Sequence, residues 1–157
     1  MEIIVSNAQM NDLMEIQALN LMLFEKEHKE YDKFLNLNWT FSKEGIKYFK
    51  DKITKKDNCL FVAKLDGKIV GYLAGSLTKA EAYRNLPKVA ELNDTLVLEG
   101  NRSLGIGTKL YNEFMKWCKK QNVKIIRVQA SAQNERAIKF YRKNGFKDYT
   151  LILENYL

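Results

Sequence analysis

Proline occurs once in the 157 residues, at Pro87, histidine once, at His28, and cysteine twice, at Cys59 and Cys118. No stretch is rich in Pro, Gly or Ser, so nothing reads as a linker, a repeat or a low-complexity tail, and a chain of this length is expected to form one domain over residues 1–157. One histidine and two cysteines outside any C-x-x-C pair are too few for a structural zinc site, and no metal is expected. No apolar run approaches the roughly 20 residues that span a bilayer. The opening Met1-Glu2-Ile3-Ile4-Val5-Ser6 lacks the basic and apolar regions of a secretory signal, so a cytoplasmic protein without a membrane partner is expected, its two thiols reduced.

What is present is a globular composition, 46% hydrophobic, enough for a core without staples. Lys and Arg number 26 against 19 Asp and Glu, a formal charge of +7. Such an excess attracts polyanions. It is not gathered into a tail, and Lys109, Lys116, Lys119, Lys120 and Lys124 carry no interleaved aromatics or known module, so nucleic acid is not the expected partner.

The pattern of elements is α/β, a mixed sheet with helices on both faces. Ile3 to Ser6 reads as a strand. Asn11 or Asp12 can cap a helix with Leu13, Ile16, Leu19, Leu23 and Phe24 near helical spacing. Glu25 to Phe41 reads as a loop or broken helix. Ser42 can cap a second helix with Ile46, Phe49 and Ile53 on one face. Leu60 to Leu65 and Lys68 to Ser76 flank Asp66-Gly67, a hairpin signal. A strand from Glu91 to Leu98, a helix from about Gly107 to Gln121, a strand from Val123 to Ala130, a helix from Asn134 to near Asn144, and one or two strands over Phe146 to Leu153 complete the order.

The most informative local feature is Arg102-Ser103-Leu104-Gly105-Ile106-Gly107-Thr108, between a strand and a helix. The first turn of a helix has N–H groups without intrahelical acceptors, and the helix dipole adds partial positive charge there. A phosphate or pyrophosphate is the natural occupant, approached closely by backbone that lacks a Cβ. A Rossmann fingerprint needs a third glycine where Leu110 stands, and a Walker loop needs Gly-Lys-Ser/Thr where the order is Gly107-Thr108-Lys109. Taken alone, the turn also fits a simple change of chain direction.

Arg102 to Gly107 resembles the Gln/Arg-x-x-Gly-x-Gly/Ala signature of the GNAT (Gcn5-related N-acetyltransferase) superfamily. Asn134-Glu135-Arg136-Ala137-Ile138-Lys139-Phe140-Tyr141, with Gly145-Phe146 beyond, is similar to that family's Asn-x-x-Ala-x-x-Phe-Tyr segment. The resemblance implies a GNAT-like, mostly antiparallel sheet with a splayed strand pair, and an enzyme that moves an acetyl group from acetyl-CoA to a primary amine of a small molecule or protein in a ternary complex. It implies that Arg102, Ser103, Leu104, Gly105, Ile106, Gly107 and Thr108 hold the coenzyme pyrophosphate. Leu96 and Val97 would pair with the pantetheine arm, Asn134 would hydrogen-bond the coenzyme, and Tyr141 would face its sulfur as proton donor. Glu91 lies where some family members keep a glutamate, and Asp94 is close by; either can serve as general base, or either can be a solvated strand end. A non-catalytic coenzyme A-binding sensor sharing the phosphate turn is the alternative. The acceptor amine and a homodimeric state are left open, with the amine pocket expected from Glu25 to Phe41 and Thr78 to Ala90.

Overall fold

The computed structural model describes residues 2–157. Five strands lie in sequence order, β1 (Ile3–Asn7), β2 (Asn58–Leu65), β3 (Lys68–Thr78), β4 (Val89–Val97) and β5 (Ile125–Val128), antiparallel except for the parallel pair β4–β5. Four helices accompany them: α1 (Leu13–Glu30), α2 (Lys43–Thr54), α3 (Ile106–Lys120) and α4 (Glu135–Lys143).

Local signals explain most boundaries. The Ser42 hydroxyl accepts from Gly45 N–H at 3.2 Å and starts α2. Asp66 and Gly67 take φ of 50° and 82° between β2 and β3, as a type I′ turn requires. Asp12 stands at the start of α1 without capping it. Its carboxylate accepts from Gln9 N–H at 2.8 Å and from Lys64 Nζ at 2.9 Å, tying that end of the helix to β2. The region expected as a loop or broken helix from Glu25 is helical as far as Glu30: Glu25 to Glu30 holds only Glu, Lys and His, of which Glu and Lys are good helix formers, and His28 and Lys29 suit the negative end of the helix dipole; residues 31–41 are irregular.

The sheet has a core on each face. On one, Phe61, Leu73, Ala90 and Leu92 pack with Leu110, Phe114 and Cys118 of α3 and Tyr141 of α4. On the other, Leu60, Val62, Tyr72, Ala74 and Leu96 pack with Ile16 and Leu19 of α1 and Phe49 of α2. Phe114 reaches the sheet over Gly75: a Cβ there would stand 2.4 Å from the Phe114 ring, so glycine is required for this helix to sit as close as it does.

One irregularity in β4 decides the site. Ala74 pairs with Asp94 and Gly75 with Leu92, leaving Asn93 as an extra residue, a β-bulge. Side chains alternate across a sheet, so without the bulge Leu92, Asp94 and Leu96 would share a face. With it, Ala90 and Leu92 face α3, whereas Asp94 and Leu96 face α1 and α2.

The strands expected over Phe146 to Leu153 are absent: residues 146–157 have neither helix nor strand. The alternation and β-branched residues there are those of a strand, but a strand needs a neighbour to hydrogen-bond, and within this chain nothing pairs with the segment.

Candidate active site

β4 and β5 are paired only from Val89↔Ile125 to Leu92↔Val128. Beyond Leu92, β4 runs on to Val97 with β3 on one edge and no strand on the other. Leu98 N–H donates to Val70 O at 2.9 Å, and backbone direction alternates along a strand. The peptide groups of Leu96 and Leu98 therefore point to β3, and those of Thr95 and Val97 point into the gap. Of the two residues expected to meet an extended ligand, Leu96 turns its peptide groups to β3 and Val97 turns its own to the gap, as Thr95 does, with the Val97 carbonyl accepting from Arg102.

At the end of β4 the chain makes a short 3-10 turn over Glu99–Asn101. The Arg102 Nε donates to Val97 O at 3.1 Å, which folds the turn back on the strand. Ser103 and Gly105 both have positive φ, 69° and 74°. Gly105 is the N-cap of α3 and offers no side chain to cap it. The first helix bond runs from Lys109 N–H to Gly105 O, so the amides of Ile106, Gly107 and Thr108 precede it without intrahelical acceptors. A Cβ at Gly105 or Gly107 would meet no protein atom closer than 4.0 Å. At Gly107 neither packing nor φ demands glycine; the absence of a side chain there suits close approach by something other than the protein.

Asn134 caps α4 by accepting from Ala137 N–H at 3.1 Å through Oδ1, which leaves Nδ2 to donate. Two turns along, Tyr141 is buried, with its ring centroid 5.6 Å from Phe140 and 5.5 Å from Phe146. Burial pushes its phenol up to about 12, and the charges of Glu27 and Asp94 push the same way. Tyr141 is therefore protonated at neutral pH, and it shares an electrostatic neighbourhood with the carboxyls of α1 and β4.

Asp94 is the centre of that neighbourhood. One carboxyl oxygen accepts from Tyr48 OH at 2.6 Å; the other, Oδ2, is closed off from solvent and has no partner among the described residues. Burial raises the Asp94 carboxyl above the ordinary carboxylate range, against the opposing pull of Tyr48, Tyr72 and the Lys52 charge. Glu27 is likewise raised, by burial first and then by Asp94 and Asp32. A buried polar network supports Asp94 from below. Gln17 Nε2 donates to Thr40 O at 3.0 Å, Thr40 Oγ1 to Asn20 Oδ1 at 2.7 Å, and Asn20 Nδ2 to Tyr72 OH at 3.0 Å.

Lys52 is buried beside this group without a carboxylate within ion-pairing distance. Its ammonium donates to Asn93 Oδ1 at 2.7 Å, the oxygen that also accepts from Ser76 Oγ at 2.9 Å, and sits 5.0 Å from the Tyr48 ring centroid. Lys52 thus fastens the bulge that turns Asp94 inward; burial lowers its pKa. Glu91 is on the same face, near enough for its charge to act on Lys52 and Tyr48, and it makes no hydrogen bond or ion pair among the described residues.

Of the expected site residues, Asp94 lies on the stretch of β4 that β5 does not cover and its charge acts on Tyr141, whereas Glu91 lies in the paired stretch opposite Arg127. Tyr48, Tyr72, Asn20, Thr40 and Lys52 were not anticipated. The polar residues Gln17 and Asn20 on the apolar face of α1 were the available signal, since a buried amide requires partners. Both thiols are buried and free, and burial pushes each up to about 12, so neither is a nucleophile at neutral pH. Lys109, Lys116 and Lys119 border a shallow groove on the outer side of α3 with Val5, where Glu113 pairs with Lys116 at 2.6 Å.

The chain is similar to known acetyltransferases in sequence and in fold. An uncharacterized N-acetyltransferase of Methanocaldococcus jannaschii is 29% identical over 134 residues, 84% of this chain and 57% of that one, so this chain spans little more than half the length of that relative. An N-alpha-acetyltransferase of Sulfurisphaera tokodaii is 26% identical over 157 residues, 97% of this chain and 84% of that one. Among solved structures, an aminoglycoside N-acetyltransferase in complex with a coenzyme A bisubstrate analog superposes with a TM-score of 0.78 at 14% identity, covering 100% of this chain and 99% of that one. The model of the acetyltransferase (GNAT) family matches residues 16–146, and the chain belongs to that family.

Proposed function

We propose that the chain transfers the acetyl group of acetyl-CoA to a primary amine by direct attack in a ternary complex, with Asp94 as the general base. The observation that carries the base assignment is the orphaned Asp94 Oδ2. A buried acceptor without a donor costs about 1–3 kcal/mol, more if charged, and Asp94 Oδ2, on the stretch of β4 that β5 does not cover, is left short of one by the fold. An amine N–H, direct or through a water, meets that need.

The amine reaches the site as an ammonium and must lose a proton before its lone pair can attack. Asp94 takes that proton. Its raised pKa brings it nearer to the amine than an ordinary carboxylate would be. Glu91, on the same face but nearer the paired part of β4, is the lesser candidate. Acetyl-CoA supplies the activated acyl group. The free amides from Ser103 to Thr108 suit its pyrophosphate, Thr95 and Val97 its pantetheine arm, and Asn134 Nδ2 a further coenzyme acceptor. The Val97 N–H, directed into the gap, is placed to donate to the oxyanion that forms as nitrogen adds to the carbonyl carbon. Collapse expels the thiolate of coenzyme A, while the nitrogen gives up its remaining extra proton.

Tyr141, held at about 12, stays protonated and can donate a hydrogen bond to the departing sulfur. Outright transfer to a thiolate of pKa ~8.5 is uphill by roughly three to four pKa units, or about 5 kcal/mol. The phenol therefore works as a relay, passing a proton to sulfur as it accepts one shed by nitrogen. The reduced, buried thiols suit a cytoplasmic setting.

Thiol release from acetyl-CoA with a panel of small amines, polyamines, aminoglycosides and N-terminal peptides tests the reading. Turnover with at least one class, with kcat/KM rising as pH rises through the Asp94 ionisation, is expected. A folded protein that binds the coenzyme and turns over no amine would instead be a coenzyme A sensor.

A further inference from the structure

Lys52 is 6% exposed, the only buried cation among the described residues. An ammonium without a counter-ion costs stability when it leaves water, and a methionine of the same length would fill the space without that cost. What the charge does follows from its surroundings. Tyr48 and Lys52 are one turn apart on α2 and lie side by side. They grip consecutive residues of β4: the Tyr48 hydroxyl donates to Asp94 at 2.6 Å, and Lys52 Nζ donates to Asn93 Oδ1 at 2.7 Å. The ammonium is also 3.4 Å from Asn58 Oδ1, at the start of β2, and 5.0 Å from the centroid of the Tyr48 ring. Ser76 Oγ of β3 donates to the same Asn93 oxygen at 2.9 Å, so α2 and β3 together hold the bulge.

Around Asp94 stand Asn20 and Glu27 of α1, Tyr48 and Lys52 of α2, Tyr72 of β3, Glu91 of its own strand and Tyr141 of α4. Lys52 is the one cation in that set. The three tyrosines are held neutral by burial, and Glu27 and Glu91 are acids. Burial and neighbouring acids favour the protonated Asp94, which is no base. A direct ion pair would have the opposite defect, because a carboxylate bonded to an ammonium gives a weak base. Here the Asn93 amide takes the ammonium's hydrogen bond, and the charge acts on Asp94 without an ion pair. A cation held one residue away works between those extremes.

We propose that Lys52 is a positioning residue for the base: its ammonium pins the Asn93 bulge and supplies, without touching Asp94, the positive charge that lets this buried carboxyl give up its proton. The role rests on the reading of Asp94 as general base. Lys52 itself meets neither the amine nor the coenzyme; it acts through Asn93 on where Asp94 points, and through its charge on when Asp94 is ionised.

Profiles of kcat/KM against pH with one amine test it, with Asp94→Asn as the control. The wild type should show a rise with pH that Asp94→Asn lacks. Lys52→Met keeps the side-chain length and drops the charge. Its rise should stand about one pH unit higher, a loss of roughly tenfold on the acid side that shrinks as pH increases. Lys52→Arg keeps the charge and a donor for Asn93, and should return the rise toward its wild-type position. A lysine that merely packs would change the rate by one factor at every pH. A rise seen in the wild type, absent from Asp94→Asn and unmoved in Lys52→Met overturns the proposal and leaves Asp94 as base. A rise missing from the wild type, or surviving in Asp94→Asn, removes the base reading and the proposal together. Nitrogen NMR of the wild type decides even if a variant fails to fold: the Lys52 signal should be that of an ammonium throughout the rise, and a neutral amine there overturns the proposal.

Discussion

In the proposed reaction Asp94 serves chemistry at the expense of stability. Its carboxyl is raised by burial, so the native state binds its proton more tightly than the unfolded chain, whose Asp pKa is ~3.9. With the folded pKa above the unfolded one, native stability is undiminished by this group at acid pH and is lost as pH rises through the window between the two values. Once ionised, Asp94 is a liability to the fold. Asp94→Asn keeps an oxygen for Tyr48 and removes the charge, so thermal melts should show a variant at least as stable as the wild type at neutral pH, the advantage vanishing below about pH 4. The same variant should lose roughly 10²–10⁴ in kcat/KM while binding acetyl-CoA normally. An equal loss of coenzyme affinity would mean that Asp94 acts on the fold and not on the amine. Tyr141→Phe keeps the contacts with Phe140 and Phe146 and deletes the relay. Initial rates should show kcat reduced with KM for acetyl-CoA little changed.

At the scale of elements, two close fits decide where the groups go. The bulge at Asn93 rotates Asp94 to the α1–α2 face, and Phe114 seats α3 on Gly75. Gly75→Ala would set a methyl 2.4 Å from the Phe114 ring; overpacking of this kind typically costs about 1–3 kcal/mol, and equilibrium denaturation should show it as a lower midpoint. These fits also mark what could be read in advance. Order and type of β1 to α4 followed from apolar spacing, the Ser42 cap and the Asp66-Gly67 turn, because those are local effects. The bulge was not legible: Asn93 is one polar residue in an alternating strand, and the shift of register depends on Lys52 and Ser76, distant in sequence. The turn from Arg102 to Thr108 between β4 and α3 was legible because its signal lies in consecutive residues. The network of Asn20, Thr40, Tyr48 and Tyr72 was not, since it joins four separate segments through side chains alone. The strands expected at Phe146 to Leu153 failed for a related reason: composition reports a willingness to pair and not the presence of a partner.

For the whole molecule, the arrangement is a division of labour between the two faces of one sheet. The α3–α4 face carries the strand-to-helix turn and Tyr141, and the α1–α2 face carries Asp94 and Glu27; in the proposed reaction the first takes the coenzyme and the second the amine. Between the two faces, the pairing of β4 with β5 ends at Leu92 and Val128, and the proposed reaction uses that opening. No helix among the described residues is long and apolar enough to cross a membrane, and none of their His, Cys, Asp and Glu side chains gather as a metal site. The central claim is that the strand-to-helix turn at Gly105 binds the diphosphate of coenzyme A. Gly105 has φ of 74°, so Gly105→Val strains the turn at the point where its amides converge, away from the cores. Isothermal titration of acetyl-CoA into the wild type and into Gly105→Val measures it most directly. One site per chain in the wild type, weakened at least tenfold in a variant that remains folded, is the predicted result; no binding by the wild type, or equal affinity in both proteins, would contradict it.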